Sequence, residues 1–215
     1  QIDAKVVNND LIEVRSGTLS VSRDVTQGAS GRTELADGAV LDVGASFSGG
    51  TIAGPTTGTG ILSGEQFEDL TFSGNFLFKN RDTTELGGAI TNTGTIGFEL
   101  GFSTATLQID SATLTGDGEL ALNQDAHVQG ESGASVLTND AGTISMTQLP
   151  GDSSTTGQID AKVVNNDLIE VRSGTLSVSR DVTQGASGRT ELADGAVLDV
   201  GASFSGGTIA GPTTG

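Results

Sequence analysis

The feature that most constrains this chain is a long segment that occurs twice. The segment 1–58, which begins QIDAKVVNNDLIEV, recurs without a substitution as residues 158–215. We interpret residues 1–157 as one full tandem unit and residues 158–215 as the start of the next. A catalytic domain has little use for an identical partial copy of itself. We therefore expect this chain to be a window of a longer tandem array.

Short runs of alternating apolar and polar residues recur inside the unit, and this period of two predicts β-strands. Turn signals such as SG, DG, GG, NN and TG separate the runs. The predicted strands are LIEV 11–14, LSVS 19–22, AVLDV 39–43, LTF 70–72, FLF 76–78, IGFEL 96–100, TLQI 106–109, ELAL 119–122 and SVLT 135–138. No segment of adequate length has the apolar periodicity of a helix. The chain is predicted to be all-β.

A second, shorter period lies inside the tandem unit. The phrase Gly-Thr-Ile or Gly-Thr-Leu recurs at 17–19, 50–52, 94–96 and 142–144. Comparable strand-turn units lie about 20 residues apart, a spacing typical of a β-solenoid, in which each coil holds two or three short strands joined by tight turns. The unit would then contain roughly seven or eight coils. With strands about 4.8 Å apart, one unit would extend the axis by roughly 35–40 Å.

Stacking of such coils would bury the apolar residues of the alternating runs. The residues predicted to point inward are Ile12, Val14, Leu19, Val21, Leu41, Val43, Leu107 and Ile109. An aromatic stack is predicted in the middle coils, and its members are Phe67, Phe72, Phe76, Phe78, Phe98 and Phe102. Asparagines at turns suit left-handed backbone and can form amide ladders between coils. These asparagines are Asn8, Asn9, Asn92 and Asn139.

The composition excludes several classes of protein. Ten basic and 27 acidic residues give a net charge of −17, so nucleic acid would be repelled and is not expected as a partner. The chain has no Cys, so its stability cannot come from disulfide bonds. No apolar run approaches the roughly 18 residues of a membrane helix, and no membrane span is expected in this segment.

The phrases NNDLIEVRSGTLSV, TNTGTIGFEL, ATLTGDGELAL and LTNDAGTI resemble the repeats of very large bacterial surface proteins. These proteins are of the filamentous-haemagglutinin and autotransporter-adhesin type. The resemblance covers essentially the whole chain and implies a right-handed parallel β-helix. It also implies an exported, extracellular protein whose repeats serve as a stalk, fibre or adhesive surface. None of the family's catalytic motifs corresponds to a position in this sequence.

The residues that could carry chemistry are few. His127 is the only histidine, it is expected to point outward, and a single histidine builds neither a His-rich metal site nor a triad by itself. Carboxylates that converge on one face could form a catalytic pair of the kind found in glycosidases, in which the two carboxyl groups lie about 5–10 Å apart. The candidate carboxylates are Glu65, Glu68, Asp69, Asp117, Glu119, Asp37 and Asp42. Asp117 and Glu119 would lie roughly 7 Å apart on one face of an extended strand. Most such acids belong to a solvated outer face, so no catalytic, cofactor or metal residue is assigned.

Three functions remain to be compared. The sequence favours a non-catalytic shaft or stalk, whose partners are further copies of the repeat stacked end to end. The alternative is a multivalent module that binds glycans or cells, although Trp and Tyr are absent. A β-helical polysaccharide-active enzyme is the third, and a repeated window offers it no unique site. No cofactor is expected; carboxylate and carbonyl oxygens allow weak calcium binding, but no EF-hand loop or β-roll nonapeptide is present.

Overall fold

The structure, a computed structural model, describes residues 1–100, 104–124, 126–150 and 155–212. These ranges contain 24 β-strands and no helix. All the strands pair in parallel, and coils of about 21 residues stack in about nine turns. The predicted all-β class and the parallel β-helix are confirmed.

The strands are short, and six of them are long enough to bend around a corner of the solenoid. The first eight are β1 (Val6–Asn8), β2 (Leu11–Val14), β3 (Thr18–Val21), β4 (Val25–Gln27), β5 (Arg32–Leu35), β6 (Val40–Ser48), β7 (Thr51–Ala53) and β8 (Gly60–Glu68). The next eight are β9 (Thr71–Ser73), β10 (Asn75–Phe78), β11 (Thr83–Asn92), β12 (Thr95–Phe98), β13 (Ala105–Thr115), β14 (Glu119–Leu122), β15 (Ala126–Gly130) and β16 (Val136–Asn139). The last eight are β17 (Thr143–Met146), β18 (Thr156–Asp160), β19 (Lys162–Asn165), β20 (Leu168–Val171), β21 (Thr175–Val178), β22 (Val182–Leu192), β23 (Val197–Val200) and β24 (Phe204–Ala210).

The strands form three parallel sheets, which we call sheets A, B and C, and the chain visits them in that order in each coil. Sheet A contains β1, β4, the second halves of β6 and β8, the first halves of β11 and β13, β15, β18, β21 and β23. Sheet B contains β2, β5, β7, β9, the second halves of β11 and β13, β16, β19, and the first halves of β22 and β24. Sheet C contains β3, the first halves of β6 and β8, β10, β12, β14, β17, β20, and the second halves of β22 and β24.

The core is a continuous apolar column between the three sheets. Of the residues predicted to point inward, Val14, Val21, Leu41, Val43, Leu107 and Ile109 are buried. Ile12 and Leu19 are only half-buried because no coil lies beyond them at this end. Their equivalents in the second copy, Ile169 and Leu176, are covered by coils on both sides and are fully buried. The prediction of which residues face inward is therefore confirmed, and the neighbouring coil decides how completely they are buried.

The predicted aromatic stack forms in the middle coils, and five of its six members are buried there: Phe67, Phe72, Phe76, Phe78 and Phe98. Phe102 lies outside the described residues. Phe47, which was not predicted to belong to the stack, joins it with its ring centroid 6.0 Å from that of Phe67. The rings are tilted rather than parallel, at centroid separations of 5.5 to 6.4 Å, which is the arrangement that ring quadrupoles favour.

Buried amide side chains form ladders between coils at the corners. At the corner between sheets B and C, Asn139 Nδ2 donates to Asn165 Oδ1 at 2.8 Å, and Asn165 Nδ2 donates to Gln184 Oε1 at 3.0 Å. In the first copy, Asn8 Nδ2 donates to Gln27 Oε1 at 2.8 Å at the corner between sheets A and B. These contacts confirm the predicted amide ladder for Asn8 and Asn139 and satisfy polar groups that burial would otherwise leave without partners. Asn92 bonds the backbone of Glu119 and Gly94 instead, and Asn9 is exposed.

The backbone conformation predicted for the turn asparagines is wrong. In the described ranges, the residues other than glycine with positive φ are Asp69 and Arg81. Asn8, Asn92 and Asn139 are instead the last residues of β1, β11 and β16, and their side chains are buried. Asn9 lies in the turn after β1 and is exposed. The left-handed positions beside the first-copy ladder are taken by Gly49 and Gly50. A Cβ atom on Gly49 would lie 2.4 Å from the backbone oxygen of Gln27, and one on Gly50 would lie 2.5 Å from the backbone oxygen of Gly31.

Candidate functional site

A recess of about 490 Å³ lies on the outer face of sheet C. Its floor is built by three outward-facing small residues in neighbouring strands: Gly97 of β12, Ala121 of β14 and Ser145 of β17. The pairing of β12 with β14 and the pairing of Ala121 with Ser145 place the three in one row along the axis. Because none of these side chains extends beyond Cβ by more than one atom, the row forms a trough between larger neighbours.

Larger side chains close the recess around this floor. Leu77 of β10 lies at one end, and Leu100 and Leu149 belong to its wall. Leu100 is 52 % exposed, so the wall offers apolar surface directly to solvent. The lining surface is mainly apolar, and its polar residues are threonines, a serine and an asparagine together with Glu99 and Arg172. This combination can bind an apolar group and donate or accept a few hydrogen bonds at the rim.

An ion-pair cluster forms the other end of the recess. Arg172 contacts Glu119 Oε1 at 2.6 Å and Glu170 Oε2 at 2.8 Å, and Ser145 Oγ also donates to Glu119. Partial burial disfavours the charged guanidinium, but the hydrogen bonds and charges of Glu170 and Glu119 outweigh it and raise the pKa of Arg172. Arg172 is therefore held as a fixed cation at the mouth of an otherwise apolar trough.

The recess spans the junction between two tandem units. Glu119 lies in the part of the unit that is present once, whereas Arg172 belongs to the second copy and corresponds to Arg15 of the first. A hydrogen bond joins the same two regions, because His127 Nε2 lies 2.9 Å from Asp160 Oδ2. A hydrogen bond from Ser179 and the contact with His127 lower the pKa of Asp160 below its ordinary value. These contacts, together with the hydrogen bond from Asn139 to Asn165, fix the second copy against the unit before it.

His127 takes the orientation that the sequence predicted. It lies in β15 between buried Ala126 and Val128, and its half-buried ring points to the outer face of sheet A. Its contact is a carboxylate of the neighbouring coil, Asp160, which also bonds Ser179. The first copy has the same Asp–Ser contact, formed by Asp3 and Ser22. This geometry gives His127 a role in joining coils.

Several of the candidate carboxylates accept hydrogen bonds from a neighbouring coil. Asp37 accepts from the backbone N–H of Thr59 at 2.9 Å, and Asp69 accepts from that of Ala89 at 2.9 Å. Asp42 lies between two serines and accepts from Ser20 at 2.9 Å and from Ser63 at 3.3 Å. Each of these carboxylates therefore links its own coil to a neighbouring coil by hydrogen bonds.

The pair of Asp117 and Glu119 differs from the expectation of an extended strand. β14 begins at Glu119, and Asp117 lies in the turn before it, next to Gly116 with a φ of 87°. The two carboxylates are therefore not consecutive outward positions of one strand. Glu119 instead pairs with Arg172 and accepts a hydrogen bond from Ser145. Glu65 lines a shallow hollow of about 300 Å³ together with Asp42, Arg81 and Asp82.

An acidic patch crosses sheet A around Glu85. Burial raises the pKa of Glu85, the negative charges of Glu131, Asp110 and Glu68 raise it further, and a hydrogen bond from Gln66 opposes the shift. Across 1–100, 104–124, 126–150 and 155–212, no group of three or more His, Cys, Asp or Glu side chains is arranged to hold a metal ion. Weak calcium binding remains a prediction.

The recess was not predicted, although the sequence contains a signal for it. Aligning TGTIGF, DGELAL and AGTISM on their shared strand pattern places Gly97, Ala121 and Ser145 in the same column. Three small residues in one outward column predict a trough. The contribution of Arg172 could not be found in this way, because its partner Glu119 is 53 residues away.

The fold and the internal repeat define the class of this protein: it is a repeat protein with a β-solenoid fold. The chain matches no protein-family profile, no curated protein and no solved structure. The part of the chain that the structure describes contains no helix long and apolar enough to cross a membrane.

Proposed function

We propose that this chain is part of the shaft of an extracellular fibre, or of the stalk of a giant adhesin, and has no catalytic role. The proposal combines the internal repeat, the strong negative charge and the resemblance to repeats of bacterial surface proteins. Several polar groups that could have formed an active site are bonded between coils instead. A solenoid of this kind gains length with every added unit and needs no new packing to do so.

The equivalence of the two copies is the observation that carries the proposal. In the first copy Leu19 pairs with Leu41, and in the second Leu176 pairs with Leu198. Likewise, Ile12 pairs with Thr33 and Ile169 pairs with Thr190. These residues therefore make the same strand pairings within each copy of the repeat. A further unit can therefore extend the stack by the same geometry.

Electron microscopy of purified chains with two, three and four units tests the shaft. Each added unit is expected to lengthen a rod of constant width by about 35 Å, from about 4.8 Å per coil. Immunogold labelling of intact cells with an antibody to the repeat is expected to decorate surface filaments. Particles that widen or become globular as units are added would contradict the shaft, and labelling confined to the cell interior would contradict its location.

The recess on sheet C favours a second candidate, a multivalent module that binds glycans or cell surfaces. One such recess would form at each junction between units, and several weak sites on one chain bind a surface far more tightly than one. Ala121→Phe fills the floor of the recess, whereas Thr26→Phe adds the same ring to an exposed position elsewhere. Binding of a two-unit chain to a glycan array that is lost in Ala121→Phe and kept in Thr26→Phe would support adhesion. Equal binding by both variants, or none by the parent, would exclude this recess.

A further inference from the structure

The two identical copies do not occupy the same sheets of the solenoid. The strand VVN is β1 in sheet A in the first copy and part of β19 in sheet B in the second. The strand LIEV moves from sheet B, as β2, to sheet C, as β20. The strand TLSV moves from sheet C, as β3, to sheet A, as β21. Each element of the repeat advances by one sheet.

The advance follows from the number of strands in one unit. Each bent strand is counted as two segments, one in each of two sheets, so every coil contributes three segments. The copy of β1 in β19 is then the 22nd segment after β1. Twenty-two segments make seven coils and one additional strand. The tandem unit, residues 1–157, is therefore not a whole number of coils. The amide ladders record the same shift, since Asn8 and Gln27 lie at the A–B corner and Asn165 and Gln184 lie at the B–C corner.

The solenoid tolerates this shift because its three sheets are physically alike. Each presents a column of apolar side chains inward and pairs strands in parallel at the same spacing. A segment can therefore make the same strand pairings on any sheet, as long as the segments that pair with it in the neighbouring coils lie on the same sheet. The identical pairings of Leu19 with Leu41 on sheet C and Leu176 with Leu198 on sheet A show this equivalence.

We propose that each tandem unit presents its outer surface rotated by one third of a turn relative to the unit before it. This inference rests on the proposed role as a shaft. Three units then complete a whole number of coils, and the fourth faces the same way as the first, about 105 Å further along the axis at about 4.8 Å per coil. A recess formed at each junction would face three directions in turn. A flat partner such as a cell surface would then meet one junction in three, whereas partners around the fibre would find sites on every side.

Paired cysteines test the shift in this cysteine-free chain. Neighbouring parallel strands lie about 4.8 Å apart, within the Cα separation of a disulfide. Gln129→Cys with Asp160→Cys spans β15 and β18, and Thr143→Cys with Leu168→Cys spans β17 and β20. Both pairs are expected to cross-link under mild oxidation or with a short bifunctional thiol reagent, as read by mass spectrometry.

A pair within the first copy gives the control. Ser20→Cys with Asp42→Cys joins β3 to β6 and is expected to cross-link whichever sheet the second copy occupies. If the second copy lay on the same sheets as the first, β18 would lie on sheet C and β20 on sheet B. Neither junction pair would then cross-link while the control pair did, and the proposed rotation would be wrong.

A four-unit chain extends the test to the surface. Thr26 and its copy Thr183 are exposed on sheets A and B, so one cysteine per unit at this position can carry a gold label. Labels on the first and fourth units are expected on the same side, with the second and third turned away. Four labels in one line would overturn the rotation. Since rod length is measured separately, a straight lengthening rod with aligned labels would leave the shaft intact and exclude only the rotation.

Discussion

At the scale of single residues, many polar side chains of this protein connect one coil with the next. Asn165 is the clearest case, because its amide accepts from Asn139 and donates to Gln184 and to the backbone oxygens of Asp167 and Arg189. The residue is completely buried, so removing its amide would leave several polar groups unsatisfied. Such groups cost about 1–3 kcal/mol each in folded proteins.

Asn165→Ala is expected to lower the free energy of unfolding by about 2–4 kcal/mol. The N–H of the Asn139 amide and the Oε1 of Gln184 would both lose their hydrogen-bond partner. Asn8→Ala is the matched control. Asn8 has the same local sequence and bonds Gln27, the Arg32 oxygen and the Asp10 N–H, but it has no hydrogen bond equivalent to the one that Asn165 accepts from Asn139. Its cost is expected to be smaller by about 1–2 kcal/mol. Urea denaturation followed by circular dichroism measures both. Equal losses would show that the ladder does not act across coils.

Glu85→Gln is expected to stabilise the protein at neutral pH. The pKa of Glu85 is raised in the folded state, so its ionisation opposes folding above that pKa and the opposition disappears as the pH falls through it. The amide removes the charge while its oxygen can still accept from Gln66. A gain of about 0.2–1 kcal/mol is expected at neutral pH, the range for partly exposed charges.

The pH dependence of unfolding distinguishes this effect from a general loss of charge. The gain from Glu85→Gln should diminish toward acid pH, where Glu85 is protonated in the parent. Glu65→Gln makes the same change in net charge on the exposed side of β8 and serves as the control. If the free energy of unfolding rises equally in both variants at neutral pH, the local repulsion around Glu85 does not lower the stability of the parent.

At the scale of strands, the two copies provide the same element in two environments. Strand β7 lies between β5 and β9, and its Ile52 is 0 % exposed. The identical residues of β24 pair with β22 alone, and Ile209 is 54 % exposed. The sequence is the same, so the difference comes only from the presence of a covering coil.

Hydrogen exchange is expected to separate these twin strands. The amides of Thr51–Ala53 should exchange slowly, because opening them requires breaking contacts with coils on both sides. The amides of 208–210 should exchange faster by at least about 100-fold, which corresponds to about 2.7 kcal/mol less opening free energy. Mass spectrometry or NMR can resolve the two segments. Equal protection in a monomeric sample would show that strand propensity, rather than coil stacking, sets local stability.

The strands themselves were predicted well by alternation, and their lengths were not. LIEV 11–14 and ELAL 119–122 are β2 and β14 as predicted. AVLDV 39–43 belongs to β6, which continues around a corner to Ser48 with a register shift between Val43 and Ser46. Corner bending depends on how far the next coil extends, and an alternation pattern within one strand carries no information about that.

At the scale of the whole molecule, the two ends of the described solenoid are open sheet edges. The edge around β24 exposes unpaired backbone groups and apolar side chains, among them Ile209. Such edges are templates for pairing with another strand. Residues 1–215, prepared as an isolated segment, are therefore expected to associate end to end, with one copy covering the open edge of the next.

Ile209→Lys is expected to reduce this association by placing a charge in the open edge. Leu100→Lys is the matched control, since Leu100 is 52 % exposed but lies on the side of the solenoid rather than at its end. Sedimentation velocity at increasing concentration should show a weaker concentration dependence for the first variant, with the second unchanged relative to the parent. A larger effect of Leu100→Lys would place the contact on the lateral surface instead.

The sequence by itself determined the tandem period, the all-β class, the approximate length of one coil and the residues that face inward. These follow from local alternation and from repeated turn phrases, which act over short stretches of chain. Only the tertiary structure decided which sheet each copy occupies, how deeply each inward residue is buried, and where the recess forms. Those properties depend on contacts between successive coils and on how many strands the chain places before it returns to the same sheet. The repeated segment therefore has one local structure and two positions around the axis.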